Sequence, residues 1–188
     1  HNVTDEEIIE KLNNGNLTFY LGTDPTGDSL HVGHLLVFIF AKRLEEHGHN
    51  PIFLIGGATG SIGDPKPNAE RKLLTREQID HNAECLHSQV ERLFKCKLVN
   101  NYDWTYNIDI LTFLRKYGKF FNVNYMINKD TVKSRLDSGI SYTEFSYQIL
   151  QALDFEHLFA SENCELQIGG QDQWGNITSG IELTRKKL

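Results

Sequence analysis

Leu17-Thr18-Phe19-Tyr20-Leu21-Gly22, then Asp24-Pro25-Thr26-Gly27-Asp28-Ser29-Leu30-His31-Val32-Gly33-His34, then Pro51-Ile52-Phe53-Leu54-Ile55-Gly56-Gly57-Ala58-Thr59-Gly60 are the stretches whose reading decides the fold. The first is a short apolar run between Gly15 and Gly22, the pattern of a buried strand. The polar turn from Asp24 to Ser29 ends it, and residues from about His31 to Gly48 form a helix. The second apolar run is another buried strand, which passes straight into glycines. Strand, long crossover helix and strand make the unit of a parallel α/β sheet.

Working outward, Thr4-Asp5-Glu6-Glu7 is a capping box for a helix that carries Ile8, Ile9 and Leu12 and stops at Gly15. The stretch from Gly56 to Asn68, with four glycines and two prolines, is expected to be irregular. A second box, Thr75-Arg76-Glu77-Gln78, starts a helix running to about Lys97. Residues 109–159 read as helical, with breaks near Gly118, Asn128 and Gly139. Cys164 to Ile168 is a third strand, and a last helix runs from near Gln173 to Leu188. The expected architecture is α/β, a Rossmann-like parallel sheet with a helical insertion. Residues 1–100 are the first half of a nucleotide-binding domain, 101–163 the insertion and 164–188 the start of the second half. Three strands are few for a sheet covered on both faces, and Thr184 to Leu188 lie inside a helix. The expectation is therefore the N-terminal part of a longer protein, its sheet incomplete.

The chain has 188 residues, 39% hydrophobic and 23% charged, enough for a globular core and against disorder. The formal charge is −6. A nucleic-acid module announces itself by a basic excess, so any RNA contacts are expected outside these residues. Three cysteines without a C-x-x-C pair argue against a disulfide framework or a structural zinc site. The run Leu35 to Ala41 is too short to span a bilayer, and the start of the chain carries no signal-peptide pattern. A cytoplasmic location without membrane contact is expected.

Four places carry chemistry. The turn from Asp24 to His34 lies after a strand and opens a helix, where free N–H groups and the helix dipole favour an anion. His31 and His34, at i and i+3, face one side, and Gly33 leaves room for a flat ring. Two surface histidines at a helix start remain the alternative. Asp64 follows the glycine-rich turn as either a solvated carboxylate or an anchor for an ammonium group. Tyr147, Gln151 and Asp154, at i, i+4 and i+7 on a largely apolar helix, either pair with one another or line a pocket. The run Gln167-Ile168-Gly169-Gly170-Gln171-Asp172-Gln173-Trp174-Gly175-Asn176 again puts glycines and polar side chains at a strand end. Asp172 there can cap a helix, accept ribose hydroxyls, or both.

Tyr20-Leu21-Gly22 with Asp24-Pro25-Thr26 and His31-Val32-Gly33-His34 resembles the class I aminoacyl-tRNA synthetases. Adding Gly57-Ala58-Thr59-Gly60, Asn100-Asn101-Tyr102-Asp103-Trp104, Phe145-Ser146-Tyr147 and Gln167 to Asn176 makes the whole chain similar to bacterial-type tyrosyl-tRNA synthetases. The resemblance implies ATP and L-tyrosine as substrates, Mg2+ on the ATP phosphates, tRNA(Tyr) as acceptor and a homodimer. It implies that Tyr20 and Asp154 bind the phenol hydroxyl, that Asp64, Tyr147 and Gln151 hold the ammonium group, and that Asn101 and Gln173 support them. Thr26, His31 and His34 would be catalytic. Gly22, Asp24, Gly33, Gly170 and Asp172 would bind ATP, and Phe120, Phe121 and Tyr142 would form the two-fold contact.

There are departures. Val32 replaces the usual Ile of the signature, and Leu21 and Val37 offer the ribose no polar contact. The segment from Asp64 to Arg71 is shorter than the family's, leaving Lys66 and Arg71 without a phosphate assignment. The lysine-rich second signature and the anticodon-reading and C-terminal RNA-binding domains are absent from the 188 residues, so this segment alone is expected to turn over ATP slowly. Two other readings stand beside this one. A cofactor adenylyltransferase would not need the Tyr147/Gln151/Asp154 stripe. A non-catalytic tyrosine-binding or RNA-splicing relative would not need both histidines.

Overall fold

The computed structural model describes residues 6–65 and 72–187. The capping box at Thr4 and the positions of Lys66 and Arg71 lie outside the described residues. In chain order the elements are α1 (Glu6–Asn14), β1 (Thr18–Thr23), α2 (Val32–Glu46), β2 (Asn50–Ile55), a single turn α3 (Thr59–Ile62), α4 (Arg76–Leu93) and β3 (Lys97–Asn100). There follow α5 (Tyr102–Thr105), α6 (Ile110–Lys116), α7 (Val123–Ile127), α8 (Asp130–Lys133), α9 (Tyr142–Glu162), β4 (Cys164–Gln167) and α10 (Trp174–Lys187).

Among the described residues the sheet has four strands, in the order β3-β2-β1-β4. All neighbours are parallel, with Tyr20 opposite Ile52 on one side and Gln167 on the other. The expected parallel α/β core is present, with two corrections. The helix from the second capping box ends at Leu93 instead of running to Lys97, and Lys97–Asn100 forms a fourth strand. Ile52 to Ile55 of β2 supply its partner backbone, and that pairing overrides a weak local pattern. The glycine-rich stretch after β2 also contains the helical turn α3.

Side-chain alternation along the strands builds two cores. Phe19, Leu21, Phe53 and Ile55 pack with Phe38 and Ala41 of α2 and with Ala83 and Val90 of α4. Phe38 lies between Phe53 and Phe94, with ring centroids 5.3 Å apart in each pair. The intervening residues Tyr20, Ile52 and Leu54 pack on Phe155 and Leu158 of α9, with Ile181 of α10 beside them. Each such buried side chain contributes about 1.5–3 kcal/mol by leaving water. The result is a three-layer α/β/α arrangement, which sends the carboxyl ends of all four strands to one edge.

Between β3 and β4 the chain is helical. Ser141 caps α9 by accepting from Glu144 N, and Asn163 in a left-handed conformation ends it. Arg135 donates to both oxygens of Glu144 at 3.2 Å, a buried pair that fixes the start of α9. The 21-residue α9 thus becomes a rigid mount for the polar stripe it carries.

Candidate functional site

A cleft of about 530 Å³ opens at the carboxyl ends of β1 and β4. The turn after β1 is held from below by α4. Asn82 Nδ2 donates to Pro25 O at 2.9 Å, while Gln89 accepts from Leu30 N and donates to Asp28 O, each at 3.0 Å. His31 is the N-cap of α2. Its Nδ1 accepts from Gly33 N at 3.0 Å, and His34 Nδ1 accepts from His31 N at 3.2 Å. An accepting Nδ1 fixes the neutral tautomer, with the proton on Nε2 in both rings. His34 Nε2 then donates to Thr23 Oγ1 at 3.2 Å, and His31 keeps its Nε2–H for a ligand. Burial, then the neighbouring His31, lowers the pKa of His34, which keeps that ring neutral. The ring centroids are 4.0 Å apart, so the expected common face is real.

Gly33 also makes room for a side chain of the protein itself. A Cβ there would lie 2.8 Å from His31 Cε1 and 3.0 Å from its Nδ1. The missing side chain makes room for the capping imidazole. Gly33→Ala is expected to push that ring off the helix end and cost about 1 kcal/mol, the usual worth of an N-cap. Thermal unfolding checks this, with Tm expected to fall by about 2–4 °C; an unchanged Tm would show that His31 caps nothing in solution.

The glycines after β2 serve close packing. A Cβ on Gly56 would lie 2.1 Å from Asp24 Oδ1, and one on Gly57 would lie 2.3 Å from Asn100 Oδ1. This approach assembles a network across four segments of the chain. Tyr147 donates to Asp24 Oδ2 at 2.9 Å, Thr59 donates to Asp24 Oδ1 at 2.6 Å, and Asn101 Nδ2 donates to Thr59 Oγ1 at 3.0 Å. Asn101 also donates to Asp154 Oδ2 at 2.9 Å and accepts from Ala58 N at 2.7 Å.

The stripe on α9 lines the cleft, and its members pair with residues outside the stripe and not with one another. Gln151 Nε2 donates to Gln173 Oε1 at 3.2 Å, and Gln173 Nε2 donates to Asp64 Oδ2 at 3.0 Å. Asn176 Nδ2 donates to Asp64 Oδ1 at 3.2 Å, so Asp64 is a fixed carboxylate on the cleft wall. Asp154 is 2% exposed, and its second oxygen accepts from Trp104 Nε1 at 2.9 Å. Burial pushes its carboxyl up to about 7, against the pull of the Asn101 and Trp104 hydrogen bonds. Tyr20, 2% exposed, has a buried hydroxyl without a hydrogen-bond partner among the described residues, and the Oε1 atoms of Gln151 and Gln167 share that state. All three residues line the cleft. Buried orphans of this kind cost about 1–3 kcal/mol each, so the cleft is built for a ligand that supplies their partners.

The structure thus gathers Tyr20, Asp64, Tyr147, Gln151, Asp154 and Gln173 with the histidine turn in one cleft, which Thr26, Gly170 and Asp172 also line. Gly22, Asp24 and Gly33 line it too, and Asn101 lies behind it, fully buried. Asp172 sits in the 3₁₀ turn before α10, where it accepts from Gln173 Nε2 at 3.0 Å. Spacing alone gave no signal for Thr59 or Trp104, whereas Gln167 and Asn176 lie at the two ends of the polar run expected after the last strand. The aromatics of the expected two-fold contact do not form one cluster: Phe120 and Phe121 line a separate cavity of about 370 Å³ with Leu183, whereas Tyr142 packs against Phe145.

The family model described as tRNA synthetases class I (W and Y) matches residues 12–188. "Tyrosine--tRNA ligase 2" of Streptococcus thermophilus (strain CNRZ 1066) is 55% identical over 184 residues, covering 98% of this chain and 61% of that relative. "Tyrosine--tRNA ligase 2" of Bacillus anthracis is 56% identical over 191 residues, covering 97% of this chain and 46% of that one. Among solved structures, a C-terminally truncated Aspergillus nidulans mitochondrial tyrosyl-tRNA synthetase superposes with a TM-score of 0.87 at 30% identity, over 97% of this chain and 57% of that one. The chain therefore spans about half to three-fifths of the length of the relatives it matches.

Proposed function

The chain belongs to the class I tRNA synthetases of the W and Y type, and on that premise we propose that its protein activates L-tyrosine with ATP and transfers it to tRNA(Tyr). The relatives at 55% and 56% identity carry the name tyrosine--tRNA ligase. The observation that carries the reading is the orphaned, buried hydroxyl of Tyr20 in the same cleft as the buried carboxyl of Asp154. A phenol satisfies both, by accepting from Tyr20 and donating to Asp154.

At the other end of the substrate, Asp64, Gln151 Oε1 and Tyr147 take the ammonium group, with Asn101 and Gln173 holding the pocket in shape. The substrate carboxylate attacks the α-phosphorus of ATP; an O–P bond forms, the bond to the bridging oxygen breaks, and pyrophosphate leaves. Positioning and charge stabilisation suffice for such a step. His31, through Nε2–H, with Thr26 and His34, stabilises charge on the departing phosphates. Gly22, Asp24, Gly33, Gly170 and Asp172 form the nucleotide side of the cleft. Mg2+ would travel on the ATP phosphates, held mainly by the nucleotide and water.

Pyrophosphate exchange by the full-length protein tests this. Exchange is expected with tyrosine and not with tryptophan or phenylalanine; exchange driven by tryptophan alone would overturn it. The reading also implies a cytoplasmic protein. No helix among the described residues is long and apolar enough to cross a membrane.

A homodimer completes the proposal. Tyr142 is 68% exposed at the start of α9, and Ile110 and Leu111 of α6 are each 67% exposed. A two-fold contact presents one patch to itself, so one introduced charge acts twice. Tyr142→Asp is expected to shift sedimentation toward the monomer at neutral pH, and an unchanged profile would remove Tyr142 from the contact.

A further inference from the structure

Trp104 Nε1 donates to Asp154 Oδ1 at 2.9 Å, yet little on the indole's own element holds it there. Trp104 belongs to α5, a single helical turn with no side-chain cap and no buried residue. Its indole packs against the core around Tyr20, Phe155 and Leu158. It also stacks on the imidazole of His157, with ring centroids 4.4 Å apart and planes 16° apart. Among the described residues that imidazole has no hydrogen-bond partner. Burial is the chief cause that lowers its pKa, so near pH 7 it is a neutral flat ring, suited to stacking.

Asp154 and His157 are i and i+3 on α9, so they lie on one side of the helix a turn apart. The helix grips the indole at two points, its N–H from position 154 and its ring face from position 157. Both points ride on an element fixed at each end by Ser141 and Asn163. Without the stack, one hydrogen bond would be left to orient the ring from α9. Such a bond weakens steeply as its N–H swings out of line, and Asp154 would then be free to turn from the ligand.

We propose that His157 is a positioning residue for tyrosine recognition: its ring holds the Trp104 indole in line with Asp154 and thereby fixes the orientation in which that carboxyl reads the phenol. This role rests on the assignment of the phenol to Asp154 made above. It differs from plain cover for the core, because cover would bear on the folded fraction and not on how tightly the folded protein holds tyrosine.

Steady-state pyrophosphate exchange by the full-length protein tests this. His157→Ala is expected to raise KM for tyrosine roughly three- to tenfold, the scale of one aromatic pair. KM for ATP and kcat should stay within about twofold. His157→Phe keeps a flat ring and should bring KM for tyrosine back to within about twofold of the natural protein. A loss of folded protein would lower kcat alone, since KM does not depend on the amount of active enzyme. Trp104→Phe keeps a ring to stack on but lacks the N–H. It should raise KM for tyrosine by itself, and adding His157→Ala to it should raise KM by less than about twofold more. If Trp104→Phe raises KM for tyrosine and His157→Ala does not, His157 has no such role. An equal rise in both backgrounds, or no rescue by His157→Phe, would overturn the proposal as well. If neither Trp104→Phe nor Asp154→Ala moved KM for tyrosine, the phenol assignment would fall and the role of His157 with it.

Discussion

Replacing Asp154 with alanine is expected to lower kcat/KM for tyrosine-dependent pyrophosphate exchange by roughly tenfold to more than a hundredfold, whereas Tyr20→Phe should lower it only about two- to tenfold. The ranking rests on charge and on what each deletion leaves behind. In its ionised form Asp154 offers the phenol a charged acceptor, worth about 1.5–3 kcal/mol, and Tyr20 a neutral hydrogen bond worth about 0.5–1.5 kcal/mol. Removing Asp154 also strands one N–H of the Asn101 amide and the Trp104 indole N–H, both of which donate to it at 2.9 Å. Removing the Tyr20 hydroxyl strands nothing in the free protein, because that hydroxyl has no partner among the described residues. Tyr20→Phe should therefore hold or raise Tm while weakening activation, and Asp154→Ala should lower both. Equal kinetic losses, or a larger one for Tyr20→Phe, would show that another group reads the phenol.

Much of this arrangement is legible in the sequence because short-range patterns fix it. Alternation in β1 and β2 separates Phe19 and Leu21 from Tyr20, and the two cores fall where that alternation puts them. The spacing of Tyr147, Gln151 and Asp154 fixes a common face before any partner is known. β3 is less legible, since Leu98 and Val99 are its only apolar residues and it exists by pairing with β2. Trp104 and Thr59 are illegible for a related reason. Each acts on a carboxylate far away in the chain, Asp154 at 50 residues and Asp24 at 35, and no local period encodes such distances. Gly33 teaches a third lesson. The motif marks the glycine, but only the geometry shows that the ring it accommodates is that of His31.

Stability and substrate binding should respond to pH in opposite directions, both through Asp154. A carboxyl held at about 7 in the folded chain, against 3.8 when free, keeps a proton that the unfolded chain gives up. Where the folded state binds more protons, stability falls as pH rises. The contribution of Asp154 is fully present below about pH 4, is lost as pH rises through about 7, and changes no further above that. At about 1.36 kcal/mol per pH unit the loss amounts to about 4 kcal/mol. Tyrosine binding follows the other sign, because a phenol donates more strongly to a carboxylate than to a neutral acid. Affinity should therefore rise through pH 7 as stability declines. Asp154→Asn isolates the effect. Its amide places a donor against one of the two donors at this site, which costs stability, but that cost does not vary with pH. The difference in unfolding free energy between the natural protein and the variant, followed by urea denaturation from pH 4.5 to 8.5, should slope downward to about pH 7 and then level off. A flat difference across the range would mean that Asp154 stays ionised in the fold, with the Asn101 and Trp104 hydrogen bonds outweighing its burial.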